Sequence, residues 1–207
     1  MIEKYGLHRV KHGNVMNGVS DLMSGELADI VYSDPPWGAG NIKYWQTLNK
    51  RQNKIGDDYK RVDTPLDDFL QQIFKIAAAN SRQWFLCEYG VGWRDEIIEM
   101  GKKVGFQHLG IANLKYRSGS KLLPLDLHIF AKQRVALPDG YLESLRDTHG
   151  YKTLQIAVPP LVKQGQVILD PCCGMGYTAQ IAIDNGLQFR GNELNRSRLN
   201  KTIKRFK

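Results

Sequence analysis

The sequence has little cysteine, less acid than base, and no long apolar run. Cys87, Cys172 and Cys173 are the only cysteines in 207 residues. An odd count with two of them adjacent makes neither a disulfide framework nor the paired spacing of a zinc site, so no metal is expected. The opening residues, MIEKYGLHRVKHG, hold no apolar stretch of signal-peptide length. The longest nearly apolar run, Leu154 to Val162, contains two prolines and a glutamine, which argues against a membrane span. A cytoplasmic, reducing location is the expectation, or the host cytoplasm for a viral chain. No repeat, low-complexity tract or Gly/Ser linker divides the chain, so a single domain over residues 1–207 is expected.

The shortage of acid, 21 Asp+Glu against 29 Lys+Arg, leaves a net charge of +8. A field of that sign attracts phosphates, which makes nucleic acid the leading partner. The 42% hydrophobic and 24% charged content is ordinary globular composition, and a chain of this size buries roughly 70% of its unfolded surface.

Strand and helix patterns alternate. Strands are expected at Val10–His12, Ile30–Ser33 and Trp84–Cys87, with a helix over Pro65–Ala79 entered through Thr64 with Pro at its first position. A helix from Arg94 to Val104 precedes a strand pair, Gly110–Tyr116 and Leu125–Lys132, turned at Ser118-Gly119-Ser120. Lys152–Val162 is weakly helical until its prolines. A strand at Val167–Leu169, a helix at Thr178–Asp184, a strand at Phe189–Glu193 and a basic C-terminal helix follow. Such alternation predicts one α/β domain, a mostly parallel sheet with helices on both faces and an antiparallel strand near the edge. Open sheets of this kind collect ligands at the C-terminal ends of their strands.

Two clusters stand at such ends. In the first, Ser33-Asp34-Pro35-Pro36-Trp37 follows the apolar residues Ile30, Val31 and Tyr32. Proline biases the preceding residue to extended backbone and carries no N–H donor, which leaves an acceptor-rich turn beside an aromatic ring. An exocyclic amine on a planar base suits this turn: Asp34 and the Pro35 carbonyl can accept its two N–H donors, and Trp37 can stack on the ring. An ordinary Pro-Pro turn and a core tryptophan are the plainer alternatives. In the second cluster, the strand Val167-Ile168-Leu169-Asp170 runs through Pro171-Cys172-Cys173 into Gly174-Met175-Gly176, opening a helix at Tyr177-Thr178. Glycines there let backbone approach a ligand. Glu193 closes the next strand 19 residues after Gly174, where nucleotide-binding sheets place an acid on ribose hydroxyls.

Together the clusters resemble the amino-methyltransferases that methylate exocyclic nitrogens of nucleic-acid bases with S-adenosylmethionine. Residues 34–37 match that family's Asp-Pro-Pro-aromatic motif, and 170–178 match its cofactor loop. Because the catalytic motif comes first, the order resembles the permuted beta group, which implies a seven-stranded Rossmann-like sheet. Asp rather than Ser at position 34 resembles the adenine-N6 enzymes. The resemblance implies catalytic roles for Asp34, Pro35, Pro36 and Trp37. It implies cofactor roles for Asn14, Asp34, Lys152, Asp170, Pro171, Cys172, Gly174, Gly176, Thr178 and Glu193. Asn14 and Lys152 stand in the departing contexts Gly13-Asn14 and Lys152-Thr153, and Cys172 where an aromatic is usual.

Direct in-line transfer needs no covalent enzyme intermediate, so neither Cys172 nor Cys173 is required as a nucleophile. The target base must be flipped out of a duplex or taken from a single strand. Residues 38–61 carry Lys43, Lys50, Arg51, Lys54, Lys60 and Arg61, with Tyr44 and Trp45 interleaved. They form either a nucleic-acid contact or a solvated loop. The stretch 133–150 is short for a recognition segment, so specificity is relaxed, or resides in 38–61, or comes from a homodimer partner or a second subunit. The alternatives are an RNA adenine-N6 methyltransferase, a non-catalytic nucleic-acid-binding subunit and, more remotely, a protein-glutamine methyltransferase.

Overall fold

The computed structural model describes residues 1–35 and 66–207. Its eight strands form one sheet: β1 (Ile2–Tyr5), β2 (His8–His12), β3 (Ala28–Ser33), β4 (Ser81–Tyr89), β5 (Gln107–Ser118), β6 (Lys121–Ala131), β7 (Val167–Asp170) and β8 (Gln188–Glu193), in the order β1-β2-β8-β7-β3-β4-β6-β5. Neighbours from β2 to β4 are parallel, whereas β1 and β6 run against them. The mostly parallel α/β sheet expected from the sequence is therefore present, with eight strands and two antiparallel members. The added strand is β1, which pairs with β2 from Ile2↔Lys11 to Tyr5↔His8. Its charged sequence IEKY has no apolar run to announce it, as befits an edge strand.

The central strands β3, β4 and β7 are apolar at successive positions because both of their faces are covered. On one face lie α1 (Ser20–Met23), α2 (Leu66–Asn80) and α3 (Arg94–Lys103). Phe69, Leu70, Ile73, Phe74 and Ala77 recur along α2 at helical spacing and bury against Val31, Phe85 and Phe130. The other face is covered by α4 (Tyr141–Ser144), α5 (Tyr151–Ala157), α6 (Tyr177–Asp184) and α7 (Arg196–Lys204), through Leu145, Leu154, Ala157, Ile181 and Leu199. Residues 133–150 thus contribute Tyr141 and Leu145 to the core, with the Tyr141 hydroxyl donating to the Ala157 carbonyl at 2.7 Å. The expected start of α2 at Thr64-Pro65 lies outside the described residues.

Candidate active site at the carboxyl rim of the sheet

Strand register brings four polar side chains into one row. Tyr32 lies opposite Leu86, Ile30 opposite Ile168, and Asp170 opposite Gly191. Side chains alternate along strands, so Glu88 of β4, Tyr32 of β3, Asp170 of β7 and Glu193 of β8 all crown the face built on Leu86, Ile30, Ile168 and Phe189. The two sequence clusters meet here, with Asp34 leaving β3 between the ends of β4 and β7. Asp34 is exposed and Pro35 is buried. Pro36, Trp37, Lys43, Tyr44, Trp45, Lys50, Arg51, Lys54, Lys60 and Arg61 lie outside the described residues.

The glycine turn is held from both sides. Asp170 accepts the Cys172 N–H at 3.0 Å and the Thr178 hydroxyl at 2.5 Å, tying the strand end to the first turn of α6. Glu193 accepts the Gly174 N–H at 2.9 Å and the Asn195 N–H at 2.7 Å, one on each carboxylate oxygen. The two glycines, both at positive φ, serve different ends. A Cβ on Gly176 (φ +79°) would lie 2.7 Å from the Thr202 hydroxyl and 2.9 Å from its Cα, so this glycine is required for α7 to pack. A Cβ on Gly174 (φ +53°) would meet only the Cys172 carbonyl at 3.9 Å, and its open side faces away from the protein's packed interior.

Asn192 links this turn to the end of β2, donating to the Gly13 carbonyl at 3.2 Å and the Pro171 carbonyl at 3.1 Å. Its own Oδ1 is buried with no partner among the described residues. Gly13 in turn donates its N–H to the Glu193 carbonyl at 3.0 Å, which sets Asn14 at the same rim. The Asn14 side chain accepts the Met16 N–H at 3.0 Å, capping a 3-10 turn. Lys152 is exposed on α5, beside the buried Thr153.

The rim is acidic although the protein as a whole is basic. Burial, reinforced by the Asp34 charge, pushes the Glu88 carboxyl up to about 8, and the Tyr32 hydroxyl donates a hydrogen bond to it. Burial also raises Asp170 to about 7, against the opposing pull of its bonds from Thr178 and Cys172. Glu193 is raised by burial as well. Desolvation disfavours the charged form of a carboxyl group, and like charges add to it. The same burial drives the Cys172 and Cys173 thiols well above their usual range, so neither supplies a thiolate nucleophile.

The Tyr32–Glu88 pair and Asn192 are not among the residues the sequence points to. The usable signal for Glu88 is an acid ending the apolar strand Trp84–Cys87, on the strand next to the one that carries Asp34. Asn192 has no signal, since its role depends on β2 pairing with β8. Among the described residues no cluster of metal-ligating side chains occurs, and no helix is long and apolar enough to cross a membrane. A concavity of about 660 Å³ between Leu7, Gln164, Ile183 and Phe206 opens at the opposite end of the sheet, away from this rim.

No protein-family model and no curated protein sequence matches the chain. Solved structures do match along nearly its whole length. TTHA0409 of Thermus thermophilus, assigned as a DNA modification methylase, is 18% identical with a TM-score of 0.67, covering 96% of this chain and 94% of its own. M1.HpyAVI, solved as a complex with SAM, is 12% identical with a TM-score of 0.70, covering 96% and 98%. The PvuII DNA methyltransferase, cytosine-N4-specific, is 11% identical with a TM-score of 0.63, covering 100% and 90%. The chain therefore has the α/β fold of solved DNA methyltransferases.

Proposed function

We propose that the protein transfers a methyl group from S-adenosylmethionine to the N6 amine of adenine in DNA, with the base flipped out or taken from a single strand. The observation that carries this reading is the convergence of Asp34-Pro35 with the Gly174/Glu193 turn on one sheet rim.

The residues suit the cofactor on three counts. Gly174 leaves open the side on which a Cβ would stand. Glu193 accepts the Gly174 and Asn195 N–H groups on separate oxygens and keeps lone-pair capacity for ribose hydroxyls. A cationic sulfonium suits a place beside Glu88, Asp170 and Glu193, whose burial-raised carboxyls it would draw toward their charged forms. The bound cofactor supplies an electrophilic methyl carbon. Glu193, Gly174 and Asp170 would hold it at the ends of β7 and β8, with Asn14, Pro171, Cys172, Gly176, Thr178 and Lys152 lining or bracing that half.

Asp34 and the Pro35 carbonyl would accept hydrogen bonds from the two amine N–H groups, which favours a pyramidal nitrogen with an available lone pair. Trp37 is assigned the stacking contact with the base, and Pro36 completes the same motif. Catalysis is then positioning and electrostatics. Glu88, mostly protonated at neutral pH, spares Asp34 a second full negative charge beside it. Residues 38–61 hold nucleic acid through Lys43, Lys50, Arg51, Lys54, Lys60, Arg61, Tyr44 and Trp45.

Cytosine N4 presents the same pair of amine donors, and the PvuII enzyme shares the fold. Incubation with labelled cofactor and duplex DNA, single-stranded DNA or RNA, followed by nucleoside analysis, separates the readings. N6-methyldeoxyadenosine is expected. N4-methyldeoxycytidine or N6-methyladenosine would change the substrate, and no label in any pool would overturn the enzymatic reading.

A further inference from the structure

The longest hairpin among the described residues overshoots the sheet on the side of the active rim. β6 pairs with β4 only as far as Tyr89↔Asp126, where β4 ends. β5 and β6 continue for five further pairs, from Leu114↔Leu125 to Ser118↔Lys121. At about 3.4 Å per residue the ribbon projects roughly 17 Å beyond the end of β4. The projection is in the direction in which β3 delivers Asp34, because β3 and β4 are parallel. Gly119, at φ +62°, closes the tip in a two-residue turn with Ser120. The base of the ribbon is braced: the Lys115 N–H donates to the Thr148 carbonyl at 2.9 Å, and the Asp147 N–H donates to the Asn113 carbonyl at 2.9 Å.

The charge on this projection has one sign. Residues 114–125 hold Lys115, Arg117 and Lys121 and no acid. Lys115 is paired with Asp147 at 3.3 Å, but Arg117 and Lys121 are exposed and make no ion pair among the described residues. Arg94, locked bidentately on the fully buried Asp126 at 2.9 Å, stands where the ribbon leaves the sheet. It shares a face with Lys115 and Arg117, because Asp126 lies opposite Asn113 and alternate residues face one way, whereas Lys121, opposite Ser118, lies on the other face, so that Arg117 and Lys121 flank the tip. Leu114, Leu125 and Tyr116 tie the base of the ribbon to the core, while its outer part, from Arg117 to Leu122, is exposed; a basic tip rising beside the rim that binds the target base fits a polyanionic backbone.

We propose that the β5–β6 hairpin is a backbone clamp for duplex DNA, with Arg117 and Lys121 contacting phosphates beside the target base. The proposal rests on the methyltransferase reading and adds a nucleic-acid surface distinct from residues 38–61. Phosphate contacts carry no sequence information, so the hairpin contributes affinity and register rather than base choice. Each contact releases counterions and adds about 0.9 to the slope of log affinity against log salt.

The test compares the full chain with R117Q/K121Q, and with K102Q/K103Q as a control of equal charge change at the far end of α3. Binding of a fluorescent duplex is measured by anisotropy over a salt series, and cofactor affinity by calorimetry. R117Q/K121Q is expected to have a salt slope shallower by about 1.8. It should also bind more weakly by the same factor on duplexes with and without adenine, with cofactor affinity unchanged. K102Q/K103Q is expected to keep the wild-type slope. An unchanged slope in R117Q/K121Q, or an equal loss in both variants, would overturn the clamp while leaving the enzymatic reading intact. A wild-type protein that binds single-stranded DNA but no duplex would overturn the clamp alone, and one that binds neither even at low salt would overturn both.

Discussion

Replacing Gly174 and Gly176 by alanine, one at a time, separates packing from ligand approach within three residues. Both sit at positive φ, so each alanine costs about 1–2 kcal/mol of left-handed strain. At Gly176 the new methyl also meets Thr202 at 2.7–2.9 Å, backbone included. Overpacking of that kind adds about 1–3 kcal/mol. In a chain of 207 residues, each kcal/mol moves Tm by about 2–4 °C. Gly174→Ala should therefore melt about 2–8 °C below wild type, and Gly176→Ala about 4–20 °C below. Cofactor at 100 times its Kd should stabilise wild type by about 2.7 kcal/mol. Gly176→Ala, once folded, should keep most of that response, and Gly174→Ala should lose it, because its methyl occupies the open side. Thermal melts of the three proteins with and without S-adenosylmethionine provide the assay. Equal melting losses, or a full cofactor response in Gly174→Ala, would refute the division of labour.

The raised carboxyl groups make pH predictions of definite sign. A carboxyl whose folded pKa lies above its unfolded value favours the fold when protonated, so that stability is lost as pH rises through the folded pKa. The cofactor-free protein should therefore lose stability between about pH 4 and 8 through Asp170 and Glu88, and Glu88→Gln should flatten the upper part of that curve in melts across pH. S-adenosylmethionine, being cationic, should bind more tightly as pH rises through 7 to 8 while the uncharged thioether product changes less, which calorimetry in matched buffers can check. His128, buried with neither ring nitrogen hydrogen-bonded among the described residues, is held down to about 3, mainly by burial. Its depressed pKa costs stability as pH falls from about 6.5 toward 3, and His128→Leu should remove that acid limb in the same melts. Glu193→Gln should weaken cofactor binding by about 1–3 kcal/mol, as loss of a charge-assisted acceptor does, with little change in DNA affinity.

Much of the parallel half is legible in the sequence because its signals are local and repeat. The buried strands around Ile30 and Ile168 are continuous apolar runs bounded by Pro or Gly, and α2 repeats its apolar residues at helical spacing. The order strand, glycine turn, helix, strand, acid locates Gly174 and Glu193 without tertiary information. What escapes depends on pairing across the sheet. The first strand, IEKY, is too polar to stand out and exists because Val10 of β2 brings a partner edge to it. The β5–β6 ribbon is longer than its sequence pattern suggests because its outer part, Lys115 to Leu122, is polar or exposed and carries no core alternation. Gly174 and Gly176 look alike in sequence, and only the approach of Thr202 separates their roles. The Tyr32–Glu88 contact joins residues 56 apart through strand register, which no local pattern encodes.

In the proposed reaction the end of β3 holds the acceptor amine while the ends of β7 and β8 hold the methyl donor. The most direct test of that arrangement is single-turnover methyl transfer to an adenine-containing duplex by wild type and Asp34→Ala, with cofactor Kd measured on the same preparations. Asp34→Ala is expected to transfer more slowly by about 10²–10³, as for loss of one transition-state hydrogen-bond partner, with cofactor Kd unchanged within a few-fold. Transfer at the wild-type rate from Asp34→Ala would contradict it.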